Sequence, residues 1–240
     1  MIELPVVDLK HYKLTGDKAE CAKAAESLHK YGVLCLRDER AADSDNDTFL
    51  DMMERYFETT DFVADARPDL HYQEHAPVSI CPPEADKKSR FFWRIGERPA
   101  VTKFAALNAE PVIPKDFPEW ETVMNMWGNK MLDAIKDLAE MAAVGLGLEK
   151  DALSQRLEYD LNLLTIHGKS RFPGLFIWLR DGTRTAAGKQ IEYLTGGYIQ
   201  AGFHEVIVSE ATLATIEARK AAGKSLWRIE LGKGFTLQRD

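Results

Sequence analysis

The stretch that decides the fold lies in the second half of the chain, where residues 159–182 read YDLNLLTIHGKSRFPGLFIWLRDG. Apolar runs short enough for β-strands alternate here with glycine-containing turns. Five runs in this half of the chain are strand candidates: 161–166, 175–179, 191–194, 198–208 and 226–231. Short, closely spaced strands with glycine turns indicate an antiparallel sandwich or barrel.

Helical periodicity dominates the first half of the chain. We predict helices over 17–31 and 44–57, with short strands at 4–9 and 33–36. The clearest helix follows Pro118 and ends near Gly145. Its apolar positions repeat at steps of three and four: Trp120, Met124, Trp127, Met131, Ile135, Leu138 and Ala142. One more helix, 209–222, interrupts the strands.

We therefore expect an α+β protein with a mainly β core, organised as one compact unit. Residues 1–115 form an N-terminal helical and irregular region, and residues 116–240 supply the long supporting helix and the β-rich core. Regular periodicity is lost over 61–115, where prolines break every candidate element. Such a long irregular stretch is more often a functional covering segment than a linker.

Composition narrows the class of partner. The 240 residues include 31 basic and 38 acidic side chains, giving a net charge of −7. This balance argues against nucleic acid or an anionic membrane as partner, because both need a concentrated positive field. The chain has no run of 18 apolar residues, no signal-peptide pattern and only three scattered cysteines. We expect a cytoplasmic protein without disulfides; the oligomeric state stays open.

Two groups of residues could bind a metal. The segment from His71 to His75 matches the HxxEH pattern of some zinc peptidases, but Pro68 and Pro77 bracket it, so a solvated turn is the alternative. Asp160 and His204 lie on separate strand candidates. With one more histidine they would form the two-histidine, one-carboxylate triad that binds Fe(II). The alternative is an edge aspartate and a buried structural histidine.

Several segments resemble the isopenicillin-N-synthase-like branch of the Fe(II)/2-oxoglutarate-dependent oxygenases. In chain order they are LPVVDL, YGVLCLRD, RFFWRIGERP, FPEWETVMNMWG, the stretch at 159–182, AGKQIEYLTGGYIQAGFHEV and SLWRI, which together span residues 4–229. The resemblance implies a double-stranded β-helix, or jelly roll, with N-terminal helices and one long supporting helix. It also implies Fe(II), the cosubstrate 2-oxoglutarate and O2.

The family's ligand pattern carries over residue by residue. Asp160 matches the iron carboxylate, and His204 matches the distal histidine ligand. Arg228 matches the arginine that pairs with the far carboxylate of 2-oxoglutarate, for which a guanidinium fork is well suited. Two positions depart from the pattern: Glu158 stands where the first histidine is expected, and Glu230 where a serine is expected.

Two explanations of these departures stay open. The chain is either a degenerate homologue that has lost a ligand and part of its barrel, or a sequence from which segments of a longer protein are missing. We favour the second, because a barrel without a core strand would expose edges and apolar surface. The 184–189 run is also too short for the strand that the family places before its GKQ block. An intact mass equal to that of the printed chain would refute this explanation.

The resemblance implies a non-haem iron oxygenase that couples decarboxylation of 2-oxoglutarate to hydroxylation, desaturation or cyclisation of a small organic substrate. Four residues are candidates for substrate binding: Phe92, Arg94, Lys189 and Tyr193. Aromatic packing under a loop is the alternative for the first two. Two other functions stay open: an iron-dependent oxidase that uses no 2-oxoglutarate, and a non-catalytic jelly-roll binding protein that has lost the metal site.

Overall fold

The computed structural model describes residues 4–70, 91–96, 98, 100–101, 108–157, 166–178, 195, 198–199, 203–229 and 232–233. Within these ranges the helices are α1 (Leu9–Thr15), α2 (Lys18–Tyr31), α3 (Asp43–Thr59), α4 (Trp120–Gly145), α5 (Ser154–Leu157) and α6 (Glu210–Ala221). The strands are β1 (Val6–Asp8), β2 (Cys35–Arg37), β3 (Ile166–His167), β4 (Leu175–Trp178), β5 (Phe203–Val206) and β6 (Gly232–Lys233). Pro68–Leu70 forms a 3-10 turn.

Helix α4 is the central support, as its apolar periodicity predicts. Half of its residues are buried, including Trp120, Ile135 and Met141. It packs closely against α2, because a Cβ atom at Gly145 would lie only 2.2 Å from the carbonyl oxygen of Cys21. The absence of a side chain at Gly145 thus lets the two helix backbones approach.

An aromatic cluster joins α3, α4 and the segment that follows α6. Its buried aromatic members are Phe49, Tyr56, Phe57, Phe117, Trp120 and Trp127. Ile229 is buried in the same cluster, and Phe91, Trp93 and Trp227 pack against it. Residues from before and after position 115 therefore share one core. The division at 115/116 itself stays a prediction.

The described strands form three two-stranded sheets. Strands β1 and β2 are parallel, whereas β3 pairs with β6 and β4 pairs with β5 in antiparallel ladders. The described residues are thus a mixture of helix and sheet. The jelly roll stays a prediction, because the strand candidates at 161–165 and 191–194 lie outside the described residues.

Most predicted elements are confirmed, and three details are wrong. Residues 226–229 form no strand; Trp227 and Ile229 pack against the aromatic cluster instead of pairing in a ladder. Tyr198 lies in a bend, so the described part of the 198–208 run is a strand only over β5. Helix α1 was not expected. Asp8 caps its start, Gly16 ends it at φ +67°, and only Leu9 of its seven residues is buried.

The helices within the described ranges are 4 to 26 residues in length. None of them combines the length and the apolar character needed to cross a bilayer.

Candidate functional site

Strand β5 brings His204 beside β4. In the antiparallel register Ile177 lies opposite His204, and the ladder continues one step further where the Ile207 N–H donates to the Gly174 carbonyl at 2.8 Å. The backbone position of His204 is therefore fixed, while its side chain lies outside the described part of the structure. Asp160, Lys189 and Tyr193 also lie outside the described residues.

Arg228 is held at the other end of this pair of strands. Its Nη1 atom donates to the carbonyl oxygens of Phe172 and Pro173, at 3.2 Å and 2.9 Å. The Pro173 carbonyl also accepts a hydrogen bond from the buried hydroxyl of Thr212 at 3.1 Å. The guanidinium of Arg228 thus rests on the main chain just before β4 begins.

The segment 172–178 consequently links two of the predicted site residues. His204 pairs with Ile177, four residues beyond the Pro173 carbonyl that holds Arg228. Four residues of strand span about 13 Å. The main-chain positions that contact Arg228 and His204 therefore lie on one short segment of the chain.

The predicted substrate-binding segment lies over the aromatic cluster. Phe91 packs against Tyr56 and Trp120, with ring centroids 5.4 Å and 4.6 Å apart. The Trp93 indole N–H donates to the Asn125 side-chain oxygen at 2.9 Å. Between these two anchors, Phe92 is 57% exposed. The segment is therefore held on the aromatic cluster on both sides of the exposed Phe92.

Arg94 lies in the same segment, residues 91–96, and is half-buried. The segment that leads to Arg228 packs on the same cluster through Trp227, whose ring lies 5.3 Å from that of Phe57. The cluster therefore carries both the 91–96 segment and the chain around Arg228. The predicted substrate-binding segment and the chain that leads to Arg228 thus pack on one core.

A buried carboxylate that sequence reasoning missed binds two arginines, one of which directly precedes Phe172, a contact of Arg228. Glu54 on α3 is 7% exposed as a whole residue. Its carboxylate accepts hydrogen bonds from two arginines, Arg171 and Arg219. The sequence does carry a signal for it. Leu50 and Phe57, four residues before and three after Glu54, belong to the apolar face of α3, so a carboxylate at this position must be buried.

The surroundings of Arg171 favour the positively charged form of its guanidinium. Burial lowers the pKa of this guanidinium, but its hydrogen bond to Asp51 and the nearby charge of Glu54 outweigh burial, so the pKa is raised overall. Arg171 also contacts the exposed Asp47. The Arg171 guanidinium therefore stays positively charged at physiological pH.

The predicted metal ligands fall where the structure gives no side chains. Across the described ranges, His, Cys, Asp and Glu side chains form no group of three or more that could hold a metal ion. The segment from His71 to His75 lies outside those ranges, as does Asp160. Of the predicted site, the described residues include Arg228 and the backbone of the strand that carries His204.

No family model matches the chain, and no curated protein matches it. Solved structures do match. A 2OG-Fe(II) oxygenase family protein from Caulobacter crescentus is 17% identical, with a TM-score of 0.59 over 86% of this chain and 81% of that chain.

Two structures of one Neurospora crassa protein are each 13% identical and cover 85% of this chain. The full-length protein in complex with alpha-KG (2-oxoglutarate) has a TM-score of 0.58 over 78% of its chain. Its complex with alpha-KG and 5-formyluracil has a TM-score of 0.52 over 77%. At these identities the likeness concerns the fold: this chain shares its fold with a 2OG-Fe(II) oxygenase family protein and with an alpha-KG-binding protein.

Proposed function

We propose that this chain is a non-haem iron oxygenase of the Fe(II)/2-oxoglutarate-dependent class, with a jelly-roll core. Asp160 and His204 are the proposed iron ligands, and Arg228 is the proposed partner of the far carboxylate of 2-oxoglutarate. When bound, iron, 2-oxoglutarate and O2 would couple decarboxylation of the cosubstrate to hydroxylation, desaturation or ring closure of a small organic substrate.

The observation that carries this proposal is the position of Arg228. The guanidinium rests on the Phe172 and Pro173 carbonyls, at one end of the strand whose other end pairs with His204. Arginine suits a carboxylate because its planar fork can donate two parallel hydrogen bonds. The fold shared with the oxygenase structures supports the same interpretation.

The remaining roles concern the substrate. Phe92, exposed on its anchored segment, would contact an apolar part of the substrate, and Arg94 would hold an acidic group. Lys189 and Tyr193 are proposed to face the same cavity. The complex of the Neurospora crassa protein with 5-formyluracil supports a small organic molecule as the class of substrate.

A second candidate function rests on the departures in the ligand pattern. Glu158 stands in the place of the first histidine, and Glu230 in the place of the serine that follows the arginine. A carboxylate at Glu230 would repel the cosubstrate. These two residues favour a metal-free jelly-roll binding protein that has lost the site.

Anaerobic titration with Fe(II) and then 2-oxoglutarate separates these functions. The proposal predicts a weak visible absorption band when 2-oxoglutarate is added to the iron-loaded protein. Iron binding without the band would instead indicate an oxidase that does not use 2-oxoglutarate. Failure to bind iron would contradict the proposal and support the metal-free protein.

A further inference from the structure

We propose that Glu54 is a positioning residue for 2-oxoglutarate. Through Arg171 and Arg219 it fixes the turn whose carbonyl oxygens orient Arg228. This inference rests on the proposed function, since it concerns the residue that would bind the far carboxylate of the cosubstrate.

Glu54 is a buried carboxylate bound by two partly buried arginines, Arg171 and Arg219. Its Oε2 atom accepts a hydrogen bond from Arg171 Nη1 at 2.9 Å. Arg219 Nη2 donates to both carboxylate oxygens, at 2.9 Å and 3.0 Å. The three side chains are only 10%, 20% and 13% exposed, for Glu54, Arg171 and Arg219 in turn. Because the Glu54 carboxylate is buried, leaving it without one of these arginines carries a large cost, and this cost fixes the geometry of the group.

Both arginines connect this group to the surroundings of Arg228. Arg171 directly precedes Phe172, whose carbonyl accepts from Arg228. The guanidinium of Arg219 lies over the Phe172 ring, 5.2 Å from its centroid. Glu54 therefore acts on Phe172, which contacts Arg228, in two ways. It binds Arg171, the neighbour of Phe172 in the chain, and Arg219, which lies over the Phe172 ring.

Arg219 also fixes the chain that leads to Arg228. Its Nε atom donates to the Ser225 carbonyl at 2.7 Å, three residues before Arg228. One guanidinium thus spans the Glu54 carboxylate and the main chain on the approach to Arg228. If Arg219 moved, the backbone and the carbonyl contacts of Arg228 would shift together.

The other side of the turn is fixed independently of Glu54. Thr212 holds the Pro173 carbonyl, and the Gly174 carbonyl accepts from Ile207, which follows the strand that carries His204. Loss of Glu54 should therefore loosen the Phe172 side without releasing β4 from β5. We expect the contact of Arg228 with a carboxylate to suffer while the iron-binding part of the site is retained.

A comparison of two keto acids tests this inference. Both 2-oxoglutarate and 2-oxobutyrate chelate iron through the keto acid, but only 2-oxoglutarate has the far carboxylate. Affinities for both would be measured by calorimetry on the anaerobic Fe(II)-loaded protein, for the wild type, Glu54→Gln and Arg219→Lys. The matched control is Asp43→Asn, which removes the exposed ion pair between Asp43 and Lys169, a pair that also joins α3 to the chain before β4.

We expect Glu54→Gln and Arg219→Lys to weaken 2-oxoglutarate binding by about tenfold or more while binding of 2-oxobutyrate changes little, as for outer residues that orient a ligand-binding group. Asp43→Asn should leave both affinities unchanged. The inference would be overturned if the variants bound both keto acids equally more weakly than the wild type, or if they bound both as tightly as the wild type does. Arg219→Lys keeps the positive charge and carries the test if Glu54→Gln does not fold.

The same data distinguish failure of the inference from failure of the proposed function. If the wild type binds 2-oxoglutarate no more tightly than 2-oxobutyrate, the assignment of Arg228 is wrong, and the inference falls with it. If the wild type prefers 2-oxoglutarate and both variants keep that preference, only the positioning role of Glu54 is refuted.

Discussion

Replacing Gly174 by alanine perturbs the turn on which Arg228 rests. Gly174 has φ +116°, and a Cβ atom there would lie 2.3 Å from the Ile207 carbonyl oxygen and 3.0 Å from the Thr212 hydroxyl. Because a carbonyl oxygen of the main chain cannot rotate away like the end of a side chain, β4 and β5 must separate locally. This separation would disturb the 2.8 Å hydrogen bond from Ile207 N–H to the Gly174 carbonyl.

The expected loss of stability has three parts. The unusual backbone conformation costs an alanine about 1–3 kcal/mol. Overpacking against Ile207 adds about 1–2 kcal/mol, and weakening one main-chain hydrogen bond adds about 1 kcal/mol. We expect Gly174→Ala to lower the free energy of unfolding by about 4 kcal/mol, which corresponds to about 8–16 °C in Tm for a chain of this size.

Gly147→Ala is the matched control. Gly147 also has a positive φ, +74°, but a Cβ atom there would meet nothing within 4 Å. Only the backbone penalty applies, so we expect a loss of about 1 kcal/mol and a fall in Tm of about 2–4 °C. Urea unfolding followed by circular dichroism measures both variants. Equal losses for Gly174→Ala and Gly147→Ala would refute the close approach of β4 and β5 at this turn.

Three further predictions concern the support of the site. Met141→Ala should lower the free energy of unfolding by about 2–5 kcal/mol, because Met141 is fully buried on α4. A loss below about 1 kcal/mol, measured by urea unfolding, would contradict the position of Met141 in the core. Ser209→Ala should cost about 1 kcal/mol in the same assay, because Ser209 Oγ accepts from the Thr212 N–H and caps α6, whereas an unchanged midpoint would show that the cap is not formed. The hydrogen bond from Lys130 lowers the pKa of Asp45 from 3.8, so this pair stabilises the fold above that pH and its contribution is lost as the pH falls through the folded-state pKa. The stability advantage of the wild type over Asp45→Asn should accordingly shrink between about pH 5 and pH 2. An advantage that grows in acid would show that the pKa of Asp45 is raised in the folded protein instead of lowered.

The helical part of the fold could be predicted because its signals are local. Helix α4 follows from the apolar spacing that starts at Trp120, and α2 ends at Gly32, which adopts the left-handed conformation expected of a C-terminal glycine. The segment 226–229 shows the limit of such reasoning. Its apolar residues suit a strand, but Trp227 finds its partners in Phe57 and Phe62, which are far away in the sequence.

The candidate site could be predicted only where single residues carry a recognisable role. Arg228 and His204 were identified from the family pattern, and the structure adds that the segment 172–178 connects them. Glu54 could not be assigned in this way. Its partners, Arg171 and Arg219, lie 117 and 165 residues away, so their meeting depends on the tertiary fold rather than on any local spacing.

The proposed oxygenase function depends most directly on an iron centre that includes His204. The decisive measurement is the affinity for Fe(II), determined anaerobically for the wild type, His204→Ala and the control His11→Ala; His11 is an exposed residue of α1 paired with Asp17. We expect His204→Ala to lose at least about a hundredfold in affinity, since even the outer partners of metal ligands contribute about 10–100-fold. His11→Ala should bind as the wild type does. Equal iron affinity in the wild type and His204→Ala would contradict the proposed centre.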